Sequence, residues 1–535
     1  MESTAPERWG SREGPAGGAR LPHGGPAGGA RLPGEGWTGG RGSRLSATNG
    51  PVPDAQQQGR EAVSITSVAR TRIAVATADT LKPQMAGPAI RAWQIAAALA
   101  ADGHDVRLVT TSECLTGSPD FDVRQVNDEA AARELESWCD VLFFQGNVLD
   151  AYPFLQRTAK VVIVDLYDPF HLEQLEQTRE HEPETRRLVV GNAVAEANKQ
   201  CLRGDFMVCA SEKQRDFWLG HLAALGRLNT VSYDDDVTLR SLLDVAPFGI
   251  SPEPPQRTRS ALKGVVPGIG VDDKVVLWGG GIYNWFDPLT LIRAIDVLAA
   301  RRPDVRLFFL GMQHPHPHVP EMRMSFSARK LSSELGLTGK HVFFNEEWVR
   351  YDDRANYLLD ADLGVSNHLD HIETAFSFRT RMLDYLWAGL PMVCTRGDVF
   401  AALVDAHGLG LTVDPSDVDG LADALEKTLY DEEFATSCRE GLARLAPEYH
   451  WSRVLAPLVA FCREPRRAPD LVDVYARRRL AHGAARSYRP KGGVRREVEI
   501  ALDHVRDGGI GLLAAKAASR VAYATGRKQP PPPRV

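Results

Sequence analysis

The chain has 535 residues, 43% of them hydrophobic and 25% charged, which is the composition of a globular protein with two to four domains. No apolar run reaches the 18 residues that a membrane-spanning helix needs, and the first 33 residues lack the apolar core of a secretory signal. The seven cysteines form no Cys-x-x-Cys pair, so the sequence predicts free thiols in a reducing cytoplasm.

The formal net charge of −6 is distributed unevenly along the chain. Residues 1–70 carry +2, residues 71–462 carry −18 and residues 463–535 carry +10. Nucleic-acid-binding proteins present basic surfaces, so the acidic central part argues against a nucleic acid partner.

Residues 1–70 are rich in glycine, alanine, proline and arginine, and the sequence GPAGGARLP occurs twice, at Gly14–Pro22 and Gly25–Pro33. With so few large apolar residues this leader cannot offset the entropy lost on ordering, so we expect it to be disordered. A functional arm, a dispensable leader and a start codon placed too far upstream all fit this composition.

From residue 71 onward, short runs of branched apolar residues alternate with amphipathic segments. Within residues 71–255 this pattern predicts strands at 72–77, 106–111, 141–145, 160–165 and 207–211, and helices at about 87–101 and 182–202. Such alternation is typical of βαβ units in a doubly wound parallel sheet.

Residues 256–435 repeat the alternation. Strands are predicted at 274–278, 305–310, 341–344, 363–367, 391–395 and 409–413, and helices at about 287–302, 325–336, 351–361, 379–388 and 418–430. We therefore expect two Rossmann-like domains, then a helical segment at 436–462 that crosses back over the first domain, and a basic tail at 463–535. Ligands bind beyond the carboxyl ends of parallel strands, so two facing sheets predict a central cleft.

Two glycine-containing loops are predicted to face that cleft. Gly87 lies where the first helix begins, and its free backbone amides suit an anion or a sugar oxygen, although a plain connection ending in Pro88 also fits. Gly279, Gly280 and Gly281 directly follow a strand, and Asp287-Pro288 then begins a helix. Glycines at this place would let a phosphate come close to the backbone, which favours a binding role. Tight packing of the helix on the strand is the alternative reason for glycine here.

The segment Glu373–Pro391 holds the densest set of candidate binding residues. Arg379, Arg381 and Asp384 lie in the first turns of a predicted helix, where Asp384 comes three residues after Arg381 and shares its face. Two arginines at a helix N-terminus oppose the helix dipole unless an anion binds, so we interpret them as ligands of a diphosphate and Asp384 as a ligand of a ribose diol. An exposed Arg–Asp pair is the alternative.

Asp165 and Asp168 leave the fourth predicted strand of the first domain at its carboxyl end. Carboxylates at this place suit the hydroxyl groups of a sugar or acceptor. Asp168 precedes Pro169, and a turn-forming Asp-Pro explains the same residues equally well.

Over about residues 71–460 the chain resembles the family 4 retaining glycosyltransferases of GT-B fold. The resemblance is carried by Met85–Pro88 with Gly103–Val106, by Val245–Gly249, and by Asp384–Pro391, which is similar to the family signature Glu-Ala-Met-Ala-x-Gly-x-Pro. It implies that Asp384 binds the ribose of a nucleotide, that Phe378–Arg381 and Gly279–Gly281 bind the diphosphate, and that Gly87 faces donor sugar and acceptor.

The chain departs from this family at two places. The family has two glutamates separated by seven residues, whereas here the second is Asp384 and the position of the first is Phe376. Glu373 is our candidate for contact with the donor sugar. Where many members have a histidine after the fourth strand, this chain has Asp165 and Asp168, so we assign Glu373, Asp168 and Asp165 as candidate catalytic residues.

The resemblance implies transfer of a sugar from a nucleotide sugar to a glycan or lipid-linked acceptor with retention of configuration, in cell-surface polysaccharide assembly. It requires no metal and no other cofactor. Two alternatives remain: a non-catalytic protein that binds sugar nucleotides or glycans, and a nucleotide-sugar epimerase of the same architecture.

The basic tail has apolar residues at roughly helical spacing between Arg495 and Arg527. This combination predicts adsorption to an anionic membrane, on the inner face of the plasma membrane. A solvated tail, or a helix packed on the acidic body, fits the same residues.

Overall fold

The computed structural model describes residues 70–312 and 322–473. They form two α/β domains, each built on one parallel sheet, as the alternating pattern predicts. The predicted leader lies outside the described residues except for Arg70, and so does the tail beyond residue 473.

The first domain is built on a seven-stranded sheet. Its strands are β1 (Arg72–Thr77), β2 (Asp105–Thr110), β3 (Asp122–Gln125), β4 (Val141–Phe144), β5 (Val161–Asp165), β6 (Phe206–Cys209) and β7 (Leu243–Val245). They are ordered β3-β2-β1-β4-β5-β6-β7, and every neighbouring pair is parallel. The chain reverses its direction of winding between β1 and β4, where doubly wound sheets open a crevice for ligands.

Helices cover both faces of this sheet. They are α1 (Gly87–Ala101), α2 (Glu129–Trp138), α3 (Val148–Ala151), α4 (Phe170–Gln177), α5 (Pro183–Arg203), α6 (Glu212–Ala224) and α7 (Thr230–Asp235), with a 3-10 turn at Pro153–Arg157. All four residues of β4 and of β6 are buried, as strands covered on both sides require.

The second domain has a six-stranded parallel sheet. Its strands are β8 (Lys274–Trp278), β9 (Val305–Phe309), β10 (Val342–Phe344), β11 (Leu363–Ser366), β12 (Met392–Thr395) and β13 (Gly410–Val413). The order is β10-β9-β8-β11-β12-β13, so the winding reverses between β8 and β11. The glycine loop follows β8 and the Glu373 segment follows β11, which places both at the second crevice.

The helices of this domain are α8 (Pro288–Arg301), α9 (Arg323–Glu334), α10 (Arg354–Asp360), α11 (Ile372–Phe376), α12 (Arg381–Ala388), α13 (Val399–His407) and α14 (Val418–Tyr430), with a 3-10 turn at Tyr351–Asp353. The predicted start of α8 is confirmed: the Asp287 carboxylate accepts a hydrogen bond from the Thr290 amide at 3.0 Å, and Pro288 is the first helical residue.

The C-terminal helices are α15 (Glu432–Leu445), α16 (Trp451–Val454), α17 (Ala456–Arg463) and α18 (Pro469–Val472), with a 3-10 turn at Ala446–Tyr449. Helix α15 packs on α12, α13 and α14 of the second domain, and the chain returns to the first domain after it. Helices α16 and α17 contact α1, and Arg463 forms an ion pair with Asp102 at the end of that helix. At Gly249 a Cβ atom would lie 2.7 Å from the Trp451 ring, so glycine allows this close contact.

The sequence pattern did not predict two strands. Three of the four residues of β3 are polar, with exposed side chains, because this strand forms the edge of its sheet and is held through its backbone. Strand β7 has three residues and is too short for a periodic signal.

None of the helices that the structure describes is long and apolar enough to cross a membrane.

Candidate active site

A cleft between the two domains is lined by loops that follow strands of both sheets. It holds two adjoining cavities of about 150 and about 470 Å³, which share Gly87, Tyr283, Thr380 and Arg381. We call the smaller one, beside Gly279–Gly281, the glycine-loop cavity. We call the larger one, beside Asp168 and Glu173, the carboxyl cavity.

All ten residues singled out in the sequence line this cleft. Gly87 and Arg381 line both cavities. The glycine-loop cavity is also lined by Gly279, Gly280, Gly281 and Asp384, and the carboxyl cavity by Asp165, Asp168, Glu373 and Arg379. The positions agree with the predicted cleft, and the role of each residue stays a prediction.

Arg381 is a buried cation at the first residue of α12. One nitrogen of its guanidinium donates to the Gly281 carbonyl at 2.8 Å, and the group lies 4.5 Å from the centre of the Trp278 ring and 4.2 Å from that of Phe286. Its Nη1 is buried without a hydrogen-bond partner in the described part of the chain, and no ion pair with a carboxylate forms there. Burial lowers the pKa of Arg381 to about 10. A buried, unpaired guanidinium facing a cavity is suited to an anionic ligand.

The glycine loop places backbone rather than side chains against the cleft. The Gly279 amide donates to the Tyr385 hydroxyl at 2.7 Å, which fixes the loop to α12. Gly280 has a φ of +77°, a left-handed conformation that favours glycine, and no atom lies within 4 Å of where its Cβ would be. A Cβ at Gly281 would lie 3.3 Å from both Trp348 and Tyr283, so a side chain there would crowd the cavity wall.

Asp384 does not pair with Arg381, although the two lie three residues apart in one helix. Its carboxylate accepts a hydrogen bond from Arg354 at 3.1 Å, and its side chain is 39% exposed. The Arg354 guanidinium lies 3.7 Å from the Tyr351 ring centre and 4.5 Å from that of Trp387. Asp384 therefore keeps solvent-accessible oxygen surface beside the glycine-loop cavity while Arg354 holds it in place.

Glu373 and Arg379 are bound to each other. Both carboxylate oxygens of Glu373 accept from the two terminal nitrogens of Arg379 at 2.7 Å, and both residues are buried. Sequence analysis assigned Glu373 to a donor sugar and Arg379 to a diphosphate as independent groups. The structure instead makes them a bidentate pair in which the terminal nitrogens of Arg379 are already engaged.

Asp165 is also paired. Its oxygens accept from Arg91 at 2.6 and 2.9 Å, and neither side chain has exposed surface. Arg91 further donates to the carbonyls of Ala246 and Pro247, so this pair ties α1 to β5 and to the segment that leaves β7. Such a buried and fully bonded pair is typical of structural support.

Asp168 differs from Asp165 because it has no such cation. It is hydrogen-bonded to Glu173 of α4. Burial, followed by the charge of Glu373, raises the pKa of Asp168 to about 7, while Arg379 acts in the opposite direction. Burial and the charge of Asp168 raise the pKa of Glu173 well above its usual range. Both shifts favour a state in which the two neighbouring carboxyl groups hold a proton between them.

Sequence reasoning missed several residues of the cleft. Glu173, Gln145, Trp348 and Arg354 each line one cavity without belonging to any motif, and Tyr283, inside the glycine-containing loop after β8, lines both. Gln145 directly follows β4 at the winding reversal of the first sheet, and that position could have identified it. Arg354 carried no such signal, because its site is defined by contact with α12.

The second domain matches a known family model. Residues 273–431 match the family model described as Glycosyl transferases group 1. An exopolysaccharide phosphotransferase of Streptomyces coelicolor is 28% identical over 200 residues, which are 36% of this chain and 20% of that protein. The chain thus spans about a fifth of the length of this relative.

Solved structures share the fold of the whole two-domain body. Sucrose-phosphate synthase from Thermosynechococcus elongatus is 16% identical, with a TM-score of 0.53 over 74% of this chain and 99% of that one. Anabaena HepE in complex with UDP-glucose is 14% identical, with a TM-score of 0.51 over 73% and 98%. A Rickettsia africae glycosyltransferase is 12% identical, with a TM-score of 0.50 over 74% and 98%. The predicted GT-B fold is confirmed.

Proposed function

We propose that this protein is a retaining glycosyltransferase that moves a sugar from a nucleoside diphosphate sugar to an acceptor hydroxyl. The observation that carries the proposal is Arg381, a buried guanidinium without a carboxylate partner in the described residues, at the start of α12 and facing the cleft. Its hydrogen bond to Gly281 leaves the positive charge without a counter-ion and Nη1 without a partner in the described residues, and a diphosphate is an anion of suitable size and charge.

The remaining groups fit the other parts of such a donor. Asp384 offers a carboxylate to the ribose diol from the same helix, one turn after Arg381. The backbone of Gly279–Gly281 allows the diphosphate to approach closely, and the N-terminus of α12 adds to the positive potential. The donor sugar would then lie towards Glu373 and Gly87, between the two cavities.

In the proposed reaction, the bond between the anomeric carbon and the diphosphate oxygen breaks, and the acceptor oxygen bonds to that carbon on the same face. The proton of the acceptor hydroxyl passes to the leaving phosphate oxygen, so no separate base is needed. Arg381 and the helix N-terminus stabilise the charge that develops on the leaving diphosphate. Arg379 acts by holding Glu373 against the cleft. We expect no metal or other cofactor to be required.

The comparisons support the donor class and the cellular setting. HepE binds UDP-glucose in a fold shared with this chain, and the relative from Streptomyces coelicolor is an exopolysaccharide phosphotransferase. We therefore propose a UDP-sugar as the first donor to test, and a glycan or lipid-linked acceptor in cell-surface polysaccharide assembly. We propose that the enzyme lies in the cytoplasm, peripheral to the inner face of the plasma membrane, with the basic tail beyond residue 473 as the membrane contact.

A nucleotide-sugar screen tests this proposal. The full chain is incubated with UDP-, GDP- and ADP-sugars, and binding is measured as a rise in thermal stability, which reaches about 2.7 kcal/mol at a ligand concentration of 100 Kd. A donor that binds is then incubated with glycoside acceptors, and nucleoside diphosphate release and product configuration are measured. We expect acceptor-dependent release with the donor's configuration retained.

Other outcomes would contradict the proposal in distinct ways. Binding without release in the presence of acceptors would indicate a non-catalytic sugar-nucleotide-binding protein. Conversion of the donor without any acceptor would indicate an epimerase. An inverted product would preserve the glycosyltransferase but refute retention.

A further inference from the structure

Gln145 presents a buried hydrogen-bond acceptor without a donor. It follows β4 at the winding reversal of the first sheet, lines the carboxyl cavity and is 4% exposed. Its amide nitrogen donates to the Thr77 hydroxyl at 3.1 Å and to the Pro88 carbonyl at 2.5 Å. Since a carbonyl can only accept, the amide orientation is fixed, and Oε1 is left without a partner in the described residues. A ligand that donates a hydrogen bond would satisfy this oxygen.

Asp168 and Glu173 line the same cavity as Gln145, and their carboxyl groups add further hydrogen-bonding positions to its free acceptor. A carboxyl pair that holds one proton accepts hydrogen bonds through its free oxygens and donates one through its O–H group. A sugar hydroxyl has the same dual capacity. Tyr283 and Trp285 stack at 5.0 Å with an angle of 9° between their rings and also line the cavity, so they provide an apolar face for a sugar ring.

The charges of the cavity oppose a phosphorylated ligand. Among the described lining residues, Arg379 and Arg381 are the basic ones. Asp165 and Glu373 form ion pairs with arginines, and Asp79, Asp168 and Glu173 supply further carboxyl groups. The terminal nitrogens of Arg379 are taken by Glu373, and Arg381 is assigned to the donor diphosphate. A phosphate group on the acceptor would therefore meet carboxyl groups with no cation left to pair with it.

We infer that the carboxyl cavity is the acceptor subsite for an uncharged sugar and discriminates against sugar phosphates, with Gln145, Asp168 and Glu173 receiving the acceptor hydroxyls. This inference rests on the proposed function and specifies the acceptor class. Gln145 and Glu173 are specificity-determining residues in this assignment, and Asp168 acts beside them rather than as an isolated catalytic base.

Paired acceptors test the inference. The donor is UDP-glucose or, if another nucleotide sugar binds more tightly, that one. The acceptors are octyl glycosides of glucose, galactose, mannose and N-acetylglucosamine, each compared with its 6-phosphate, and nucleoside diphosphate release is followed as acceptor concentration varies. We expect kcat/KM to be at least 100-fold higher for the neutral member of the best pair.

Three variants separate a specificity role from structural support. Glu173→Gln and Asp168→Asn each remove a carboxyl group but keep hydrogen-bonding capacity. Each should lower the ratio of kcat/KM for the neutral acceptor to kcat/KM for its 6-phosphate at least tenfold. Gln145→Leu should raise the acceptor KM about tenfold with donor affinity within twofold of wild type. If these residues only supported the fold, the ratio of the two kcat/KM values would stay unchanged.

Two results would overturn the inference without touching the proposed function. These are equal or better use of the 6-phosphates, and an unchanged ratio of kcat/KM values in both carboxyl variants. Donor binding without stimulation by any acceptor of either series would contradict the proposed function itself. Failure of every nucleotide sugar to bind would instead reject the proposed function, and the inference with it.

Discussion

Replacing Arg381 with methionine should separate ligand binding from stability. Burial lowers the pKa of this guanidinium from its ordinary value to about 10, and at about 1.36 kcal/mol per pKa unit its burial as a cation costs roughly 3 kcal/mol. The hydrogen bond to Gly281 and the contacts with the Trp278 and Phe286 rings return an amount of similar size. Methionine removes both the cost and the gains, so we expect the free energy of unfolding to change by less than about 1 kcal/mol.

Nucleotide affinity should respond very differently. Truncating one partner of a buried charge pair typically costs about 2–5 kcal/mol of binding free energy, so Arg381→Met should weaken UDP binding about a hundredfold. Isothermal titration calorimetry measures the affinity, and urea unfolding measures the stability. Arg293→Met is the matched control, since Arg293 lies exposed on α8 away from the cleft lining.

Either of two results would refute this reasoning. UDP affinity unchanged in Arg381→Met, with the fold intact, would show that the guanidinium does not bind the nucleotide. A loss of more than about 3 kcal/mol in unfolding free energy would show that Arg381 supports the fold, in which case reduced binding would be a secondary effect.

Three further predictions concern residues around the cleft. Glu373→Gln should destabilise the protein by about 3–5 kcal/mol in urea unfolding, because it leaves buried Arg379 without its carboxylate, and adding Arg379→Met should recover part of that loss. A change below about 1 kcal/mol would contradict the buried pair. Asp384→Ala should change stability by less than about 1 kcal/mol, since its side chain is 39% exposed, while abolishing the preference for UDP over 2′-deoxy-UDP in calorimetry. Equal discrimination in wild type and variant would exclude the ribose role. Burial lowers the pKa of His171 to about 4, so the unfolded state binds more protons than the folded state between pH 6.5 and about 4. As the pH is lowered from 6.5 to about 4, the free energy of unfolding should therefore fall by up to roughly 3 kcal/mol more in wild type than in His171→Phe. Parallel curves of unfolding free energy against pH would contradict this prediction.

The strand and helix pattern was predictable because the two sheets bury their strands on both faces. Strand β8, for example, is a continuous apolar run from Val275 to Trp278, and it is found where the sequence pattern predicted it. Edge strand β3 was not predictable, because its side chains face solvent and its position is decided by backbone pairing with β2. The candidate site residues could be located because ligand loops follow strand ends, a rule that depends on chain order alone.

The sequence alone determined the fold class, the cleft and the residues that line it, since periodicity, glycine positions and charge at helix starts are local properties. It could not determine how those residues pair. Whether Arg381 or Arg379 has a carboxylate partner, and whether Asp165 or Asp168 lies beside a cation, depend on contacts that the local sequence pattern does not define. Those contacts set desolvation and charge, and desolvation and charge decide which groups can bind a ligand.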